Sequence, residues 1–189
     1  MKATADSLHS FTPTTDALVL ASVGSSAEAH LLDDWLEKQR SRHPDARIEV
    51  LQLPDDDPPP SVLARLVALL EADEDRLVVP VRVFWIPVGL PTRSKVAAFL
   101  SGRDTYRPPE LLQRRFLRQN PGRARVVAGE PAKVSDLRQQ WSDTTVAENP
   151  RDFARFVMRR AELAIERVEV RLLGPEYKSP RLVKPEMLA

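Results

Sequence analysis

The chain has 189 residues, of which 42% are hydrophobic and 29% charged, with 17 prolines and no cysteine. That length fits one domain of ordinary size, able to bury roughly 70% of the surface its unfolded form would expose. The lack of cysteine excludes disulfides, thiolate catalysis and cysteine-ligated zinc. No apolar run approaches the ~20 residues of a membrane span, and residues 1–10 have neither the basic start nor the apolar core of a signal peptide. A soluble or peripheral chain is expected.

The net charge of +1 conceals a division. Residues 1–75 hold 6 Lys/Arg against 15 Asp/Glu, and residues 76–189 hold 22 against 12. A basic half of this kind can face nucleic acid, anionic lipid, phosphorylated substrates or the chain's own acidic half, and nearby opposite fields are the first expected to pair.

Residues 1–15 are Thr- and Ser-rich without periodicity, which predicts a flexible arm. DALVLASV at 16–23 reads as a short buried strand, left through the turn Gly24, Ser25, Ser26. Ser25 and Glu28 have the spacing of a capping box. Leu31, Leu32, Trp35 and Leu36 then recur at helical spacing, and this helix should stop before Pro44. A second strand is expected at 47–53. The carboxylates of Asp55, Asp56 and Asp57 lack the spaced oxygens and glycine of a calcium loop. They read instead as an exposed turn whose acids favour the start of the next helix, which carries Val62, Leu63, Leu66, Val67 and Leu70.

RLVVPVRVFWIP at 76–87 is the densest concentration of β-branched and aromatic residues and reads as an inner strand. Pro80 deletes a ladder donor, so it belongs at a bulge or against an unpaired side, and Pro87 should end the strand. An unpaired buried guanidinium is costly, so Arg82 must reach an end of the sheet or find a partner. Strand, helix, strand, helix, strand is the pattern of right-handed crossovers. The fold class is α/β, a βαβαβ lead-in to a mostly parallel sheet, with additional basic helices and a long C-terminal helix.

Beyond Pro87 a modest helical piece is expected at 95–100. Pro108 and Pro109 open a helix with Leu111, Leu112, Phe116 and Leu117 on one side and Arg114, Arg115 and Arg118 on the other. Such a basic amphipathic helix can contact an anionic membrane or another anion. A further strand at 123–128 is closed by Gly129, Glu130 and Pro131, and Ser135 or Asp136 begins a short helix toward Trp141. After a polar linker at 142–148, Asn149 caps the last helix with Pro150 at its first position. Phe153, Phe156, Val157, Ala161, Ala164, Ile165, Val168 and Leu172 form its apolar stripe, and Gly174 and Pro175 terminate it.

Chemistry-bearing patterns are few. VGSSAE after the first strand has one glycine where a dinucleotide fingerprint needs three, and nothing matches a phosphate-binding loop. His30, Asp33 and Asp34 share a helical face that could hold a metal or work as a base, but a surface histidine on a helix boundary accounts for them as well. No serine lies in a nucleophile elbow. Neither a catalytic residue nor a metal site is assigned, and no cofactor is expected.

VPVRVFWIP at 79–87 and RARVVAGEPAKVSDL at 123–137 resemble the paired strand blocks that precede the catalytic domain of bacterial sn-glycerol-3-phosphate 1-O-acyltransferases. RFVMRRAELAIERVEVRLLGPEYKSPRLV at 155–183 is similar to the basic helix, G-P turn and following segment of the same family, in an actinobacterial style. The resemblance runs from Asp16 to Ala189 and is strongest after Arg76. It implies acyl transfer from acyl-CoA or acyl carrier protein to the sn-1 hydroxyl of glycerol 3-phosphate, the first step of phospholipid synthesis, at the cytoplasmic side of the cell membrane. The family works through an H-x-x-x-x-D motif, whose histidine acts as a base on the hydroxyl. Here Thr14, Trp35 and Ile48 stand five residues after His9, His30 and His43, so the motif is missing.

The resemblance therefore implies a non-catalytic N-terminal part, inactive alone, with residues 1–15 as an arm, 16–174 as an α/β domain and 175–189 as a linker toward a catalytic domain. Its partners would be that downstream domain, which binds the acyl donor, and an anionic membrane surface met by Arg114, Arg115 and Arg118. Arg82 would face the interdomain contact. Nucleic acid is not an expected partner on this reading. The alternative is a free-standing interaction or regulatory domain whose basic half binds an acidic protein or nucleic acid.

Overall fold

The computed structural model describes residues 16–54, 58–73, 75–85, 108–144 and 149–173. The expected arm at 1–15, the acidic run Asp55 to Asp57, the strand end at Pro87, the piece at 95–100, the stop at Gly174 and Pro175 and the segment 175–189 lie outside these residues.

The chain is α/β. Strand β1 (Ala17–Ser22) leads through helix α1 (Ser26–Arg42) to β2 (Ile48–Leu53), and through α2 (Pro60–Ala72) to β3 (Leu77–Trp85). β1 pairs in parallel with both neighbours, Val19 lying opposite Val50 on one side and Val79 on the other. Its apolar run is buried on both faces, with Ala17 to Ala21 between 0 and 2% exposed, as an inner strand covered by helices requires. After helix α3 (Glu110–Gln119) and a 3₁₀ turn, β4 (Ala124–Ala128) and β5 (Ala132–Lys133) run antiparallel to β3, giving the order β2-β1-β3-β4 with β5 also on β3. Helices α4 (Val134–Ser142) and α5 (Pro150–Leu173) complete the described elements.

Pro80 sits at a β-bulge. Ala128 faces Val81 and Ala132 faces Val78, so Gly129, Glu130 and Pro131 stand against only Val79 and Pro80. The Pro80 carbonyl accepts from the Gly129 N–H at 2.7 Å. A strand residue aims its N–H and C=O to the same side, so the donor that Pro80 lacks would have faced the irregular stretch, where the ladder is already broken. Gly129 is required by proximity: a Cβ there would lie 2.9 Å from Pro80 Cγ and 3.2 Å from both the backbone carbon and the Cβ of Ala164 on α5.

Alternation along the strands separates two cores. Leu18, Leu20, Leu51, Leu53 and Val78 meet Leu66 and Leu70 of α2, Leu137 of α4, and Phe153, Val157 and Ala161 of α5. Ala17, Val19, Ala21, Val79 and Val81 meet Leu32 and Leu36 of α1. Toward the C-terminal end of β3 the same division continues: Phe84 and Val127 pack on Ile165 and Val168, while Val83, Trp85 and Ala124 pack beneath Phe116 and Leu117 of α3. Each fully buried leucine contributes roughly 1.5–3 kcal/mol. Leu18, Leu32, Leu66 and Leu70 thus weld helices to both faces of one sheet. Arg138 closes the α2–α5 side, its guanidinium 4.8 Å from the Phe153 ring centre and donating to the Leu70 carbonyl.

Two sequence expectations shift. α3 turns Gln113 inward, 2% exposed, and leaves Leu111 83% exposed, because polar groups beneath it demand partners. α4 begins at Val134, since β5 hands over directly to it and the Val134 N–H is held by the Arg76 carbonyl at 3.0 Å. Pro59 and Pro60 start α2 with preset backbone angles.

Among the described residues, self-pairing of the two charged halves is limited. Among the described residues, Glu49–Arg76 and Asp75–Lys133 cross the division. The pairs Arg82–Glu169, Arg114–Glu110, Arg155–Asp152 and Arg159–Glu162 all lie within the basic half. Three of these are helical neighbours, where the nearest acid is a turn away.

Candidate functional site

In a doubly wound sheet the crevice that receives ligands lies beyond the carboxyl ends of the strands where the strand order reverses. Here the order β2-β1-β3 puts that point at the ends of β1 and β3, the chain passing from β1 to β2 by α1 on one face and from β2 to β3 by α2 on the other. Gly24 to Glu28, Trp85 and Gln113 meet there. Glu28 is 1% exposed. Its Oε2 accepts from the Gly24 N–H at 2.9 Å, and its Oε1 from Trp85 Nε1 at 2.9 Å and, at a longer 3.4 Å, from Gln113 Nε2. The Gln113 amide also donates to the Pro108 carbonyl at 2.8 Å. Ser25 Oγ accepts the Glu28 N–H and donates to Gln113 Oε1.

Half of the capping box is thus present, since Ser25 does accept from Glu28. The Glu28 carboxylate reaches one residue further back, to Gly24, and turns inward. A buried carboxylate is tolerable only with its charge solvated by donors, and the N-terminus of α1 adds its own positive end. Donors from Gly24, Trp85 and Gln113 meet on it, so this arrangement fastens α3 over the end of the sheet. Sequence reasoning missed the Trp85 and Gln113 contacts. The usable signal was Trp85 itself, whose N–H needs an acceptor once the ring is buried at a strand end.

Beside this node, Ser26, His30 and Asp34 of α1 and Arg114, Leu117 and Arg118 of α3 line a groove of about 620 Å³. Arg114 is engaged, 3.1 Å from both Glu110 Oε1 and Ser26 Oγ. The Glu110 carboxyl is held below its usual range, chiefly by the Ser26 hydroxyl and further by Arg114. Arg115 and Arg118 are exposed. Together with Leu111 they occupy one outward stripe at spacings of four and three residues, while Phe116 and Leu117 pack inward. The apolar residue beside these cations is therefore Leu111, not Phe116. His30, Asp33 and Asp34 are exposed, and among the described residues no three metal-ligating side chains gather.

Arg82 is taken up inside the chain. Its guanidinium lies 2.9 Å from Glu169 Oε1, the two side chains 15% and 3% exposed. This internal partner removes the electrostatic reason for expecting Arg82 at an interdomain surface. Among the described residues no helix is long and apolar enough to cross a membrane. No family model matches the chain, and no solved structure matches it.

Proposed function

We propose that the chain is the non-catalytic N-terminal α/β part of a glycerol-3-phosphate 1-O-acyltransferase, which supports a downstream catalytic domain. The supporting observation is where the resembling blocks fall. VPVRVFWIP forms most of β3, and RARVVAGEPAKVSDL supplies β4, the bulge, β5 and the start of α4, so the two blocks lie side by side as antiparallel neighbours. The G-E-P of the second block is the bulge opposite Pro80, and its glycine lies close against Ala164 of α5. A scaffolding role also agrees with the crevice at the strand ends, whose carboxylate is engaged by the protein's own donors.

Acyl donor and glycerol 3-phosphate would be bound by the downstream domain. The purified chain is expected to show no turnover of acyl thioester with glycerol 3-phosphate, and measurable turnover would overturn the proposal. The native coding sequence is expected to reach an H-x-x-x-x-D motif after Ala189.

Peripheral docking on anionic lipid belongs to the same reading, carried by the outward stripe of Leu111, Arg115 and Arg118 with Arg114 alongside. Each basic residue near an anionic surface contributes about 1 kcal/mol, so the attachment is weak and salt-sensitive. Flotation with anionic vesicles should exceed that with neutral ones. Equal binding to both would remove the membrane role.

A further inference from the structure

α5 leaves a cavity of about 210 Å³ against the β3–β5 side of the sheet. Its floor is apolar: Val78 and Pro80 of β3, Leu137 of α4, and Val157 and Ala161 of α5. Two local features account for the space. The bulge residues Glu130 and Pro131 depart from regular pairing and form one wall, and α5 presents the small side chains of Ala161 and Ala164 there. α5 comes close to the sheet beside the cavity, since a Cβ on Gly129 would lie 3.2 Å from Ala164.

The rim has a different character. Arg160 and Arg167, about two helical turns apart, stand over the apolar floor with Gln140 and Glu130. Arg160 donates to the neutral Gln140 amide at 2.7 Å. Elsewhere on α5, Arg155 and Arg159 each find a carboxylate at 3.1 Å. Among the described residues neither Arg160 nor Arg167 does, and the rim's one carboxylate, Glu130, offsets only one of the two charges.

We infer that this cavity binds a small organic anion, its apolar body seated on Val157 and Ala161 and its carboxylate held by Arg160 and Arg167. An apolar cavity of about 150 Å³ accepts benzene, so 210 Å³ accommodates a ring of that size and the group attached to it. Guanidinium groups match the planar carboxylate with paired N–H donors. The apolar floor discriminates against inorganic anions, which would lose hydration there without gaining partners. This inference stands on the cavity alone and is independent of the acyltransferase reading.

Benzoate is the probe, with benzyl alcohol and acetate as controls for the body without the charge and the charge without the body. Titration of the ¹⁵N-labelled chain is expected to give saturable benzoate shifts confined to β5, α4 and the middle of α5, with each control at least tenfold weaker. Arg160→Gln with Arg167→Gln should weaken benzoate at least tenfold, and Ala161→Leu should abolish binding by filling the floor. If Ala161→Leu fails to fold, the double arginine variant decides, because both head groups lie at the rim. Absence of saturable shifts, equal affinity for acetate and benzoate, or binding unchanged in the double variant would overturn the inference.

Discussion

The two faces of β3 solve the same problem in opposite ways. Trp85, on the odd-numbered face, gives its N–H to Glu28 under α1 and α3; Arg82, on the even-numbered face, gives its guanidinium to Glu169 on α5. Both carboxylates are nearly sealed, at 1% and 2% exposure. Glu28 accepts neutral N–H donors from Gly24, Trp85 and Gln113, and Glu169 accepts from the charged guanidinium of Arg82. The difference matters because a buried ion pair gains little over a well-packed apolar replacement, yet breaking it strands a charge. Neutral donors can be lost singly, since others remain on the same carboxylate.

Removing one ionic partner should therefore have the largest effect. Arg82→Met is expected to cost about 3–5 kcal/mol in urea unfolding. A cost below about 1 kcal/mol for the single change would erase the contrast between the faces. Next comes Gly129→Ala, whose Cβ would meet Pro80 and Ala164 and push α5 from the sheet. It should cost about 2 kcal/mol, within the usual range for overpacking, while the indole N–H resonance of Trp85 stays in place. A moved Trp85 signal would mean that the two faces are mechanically coupled.

Trp85→Phe keeps most of the ring and removes one donor of several. About 1.5 kcal/mol is expected, the lower end for hydrogen bonds to charged groups, and a loss matching that of Arg82→Met would show Glu28 to depend on this donor alone. The smallest effect is at the exposed end of α3. The carboxyl of Glu110 titrates below its usual range in the folded chain. What it contributes is present in full above the ordinary carboxylate range and is lost as pH falls through the lowered value. Ser26→Ala should move that titration upward by NMR, with Arg114→Ala moving it less. A larger shift from Arg114→Ala would reverse the assigned order of causes.

Local pattern reached far along this chain. The near-continuous apolar runs at Ala17–Ser22 and Leu77–Trp85 declare strands covered on both faces, and the stripe from Phe153 to Leu172 declares which side of its helix is buried, because burial on a helical surface imposes its own period. Pro80 was legible as a bulge or an unpaired side, since a missing N–H forbids a regular ladder. What stayed hidden was pairwise. Ala132 and Lys133 are too short to carry a period, and they are a strand only because Val78 and Leu77 face them. Leu111 looks like core and is exposed, whereas Gln113 looks like surface and is buried.

Composition, periodicity and proline chemistry thus determined by themselves an α/β chain with a βαβαβ start and a long closing helix. They did so because backbone sterics and burial act over a few neighbouring residues. Tertiary structure alone decided that Glu28 would meet Trp85, that Arg82 would meet Glu169, and that Arg160 and Arg167 would stand over an apolar cavity. Those contacts join residues up to 87 positions apart in sequence. The physical reason is that a buried charge or N–H must find a partner in space, and the sequence states the need without naming which distant residue meets it.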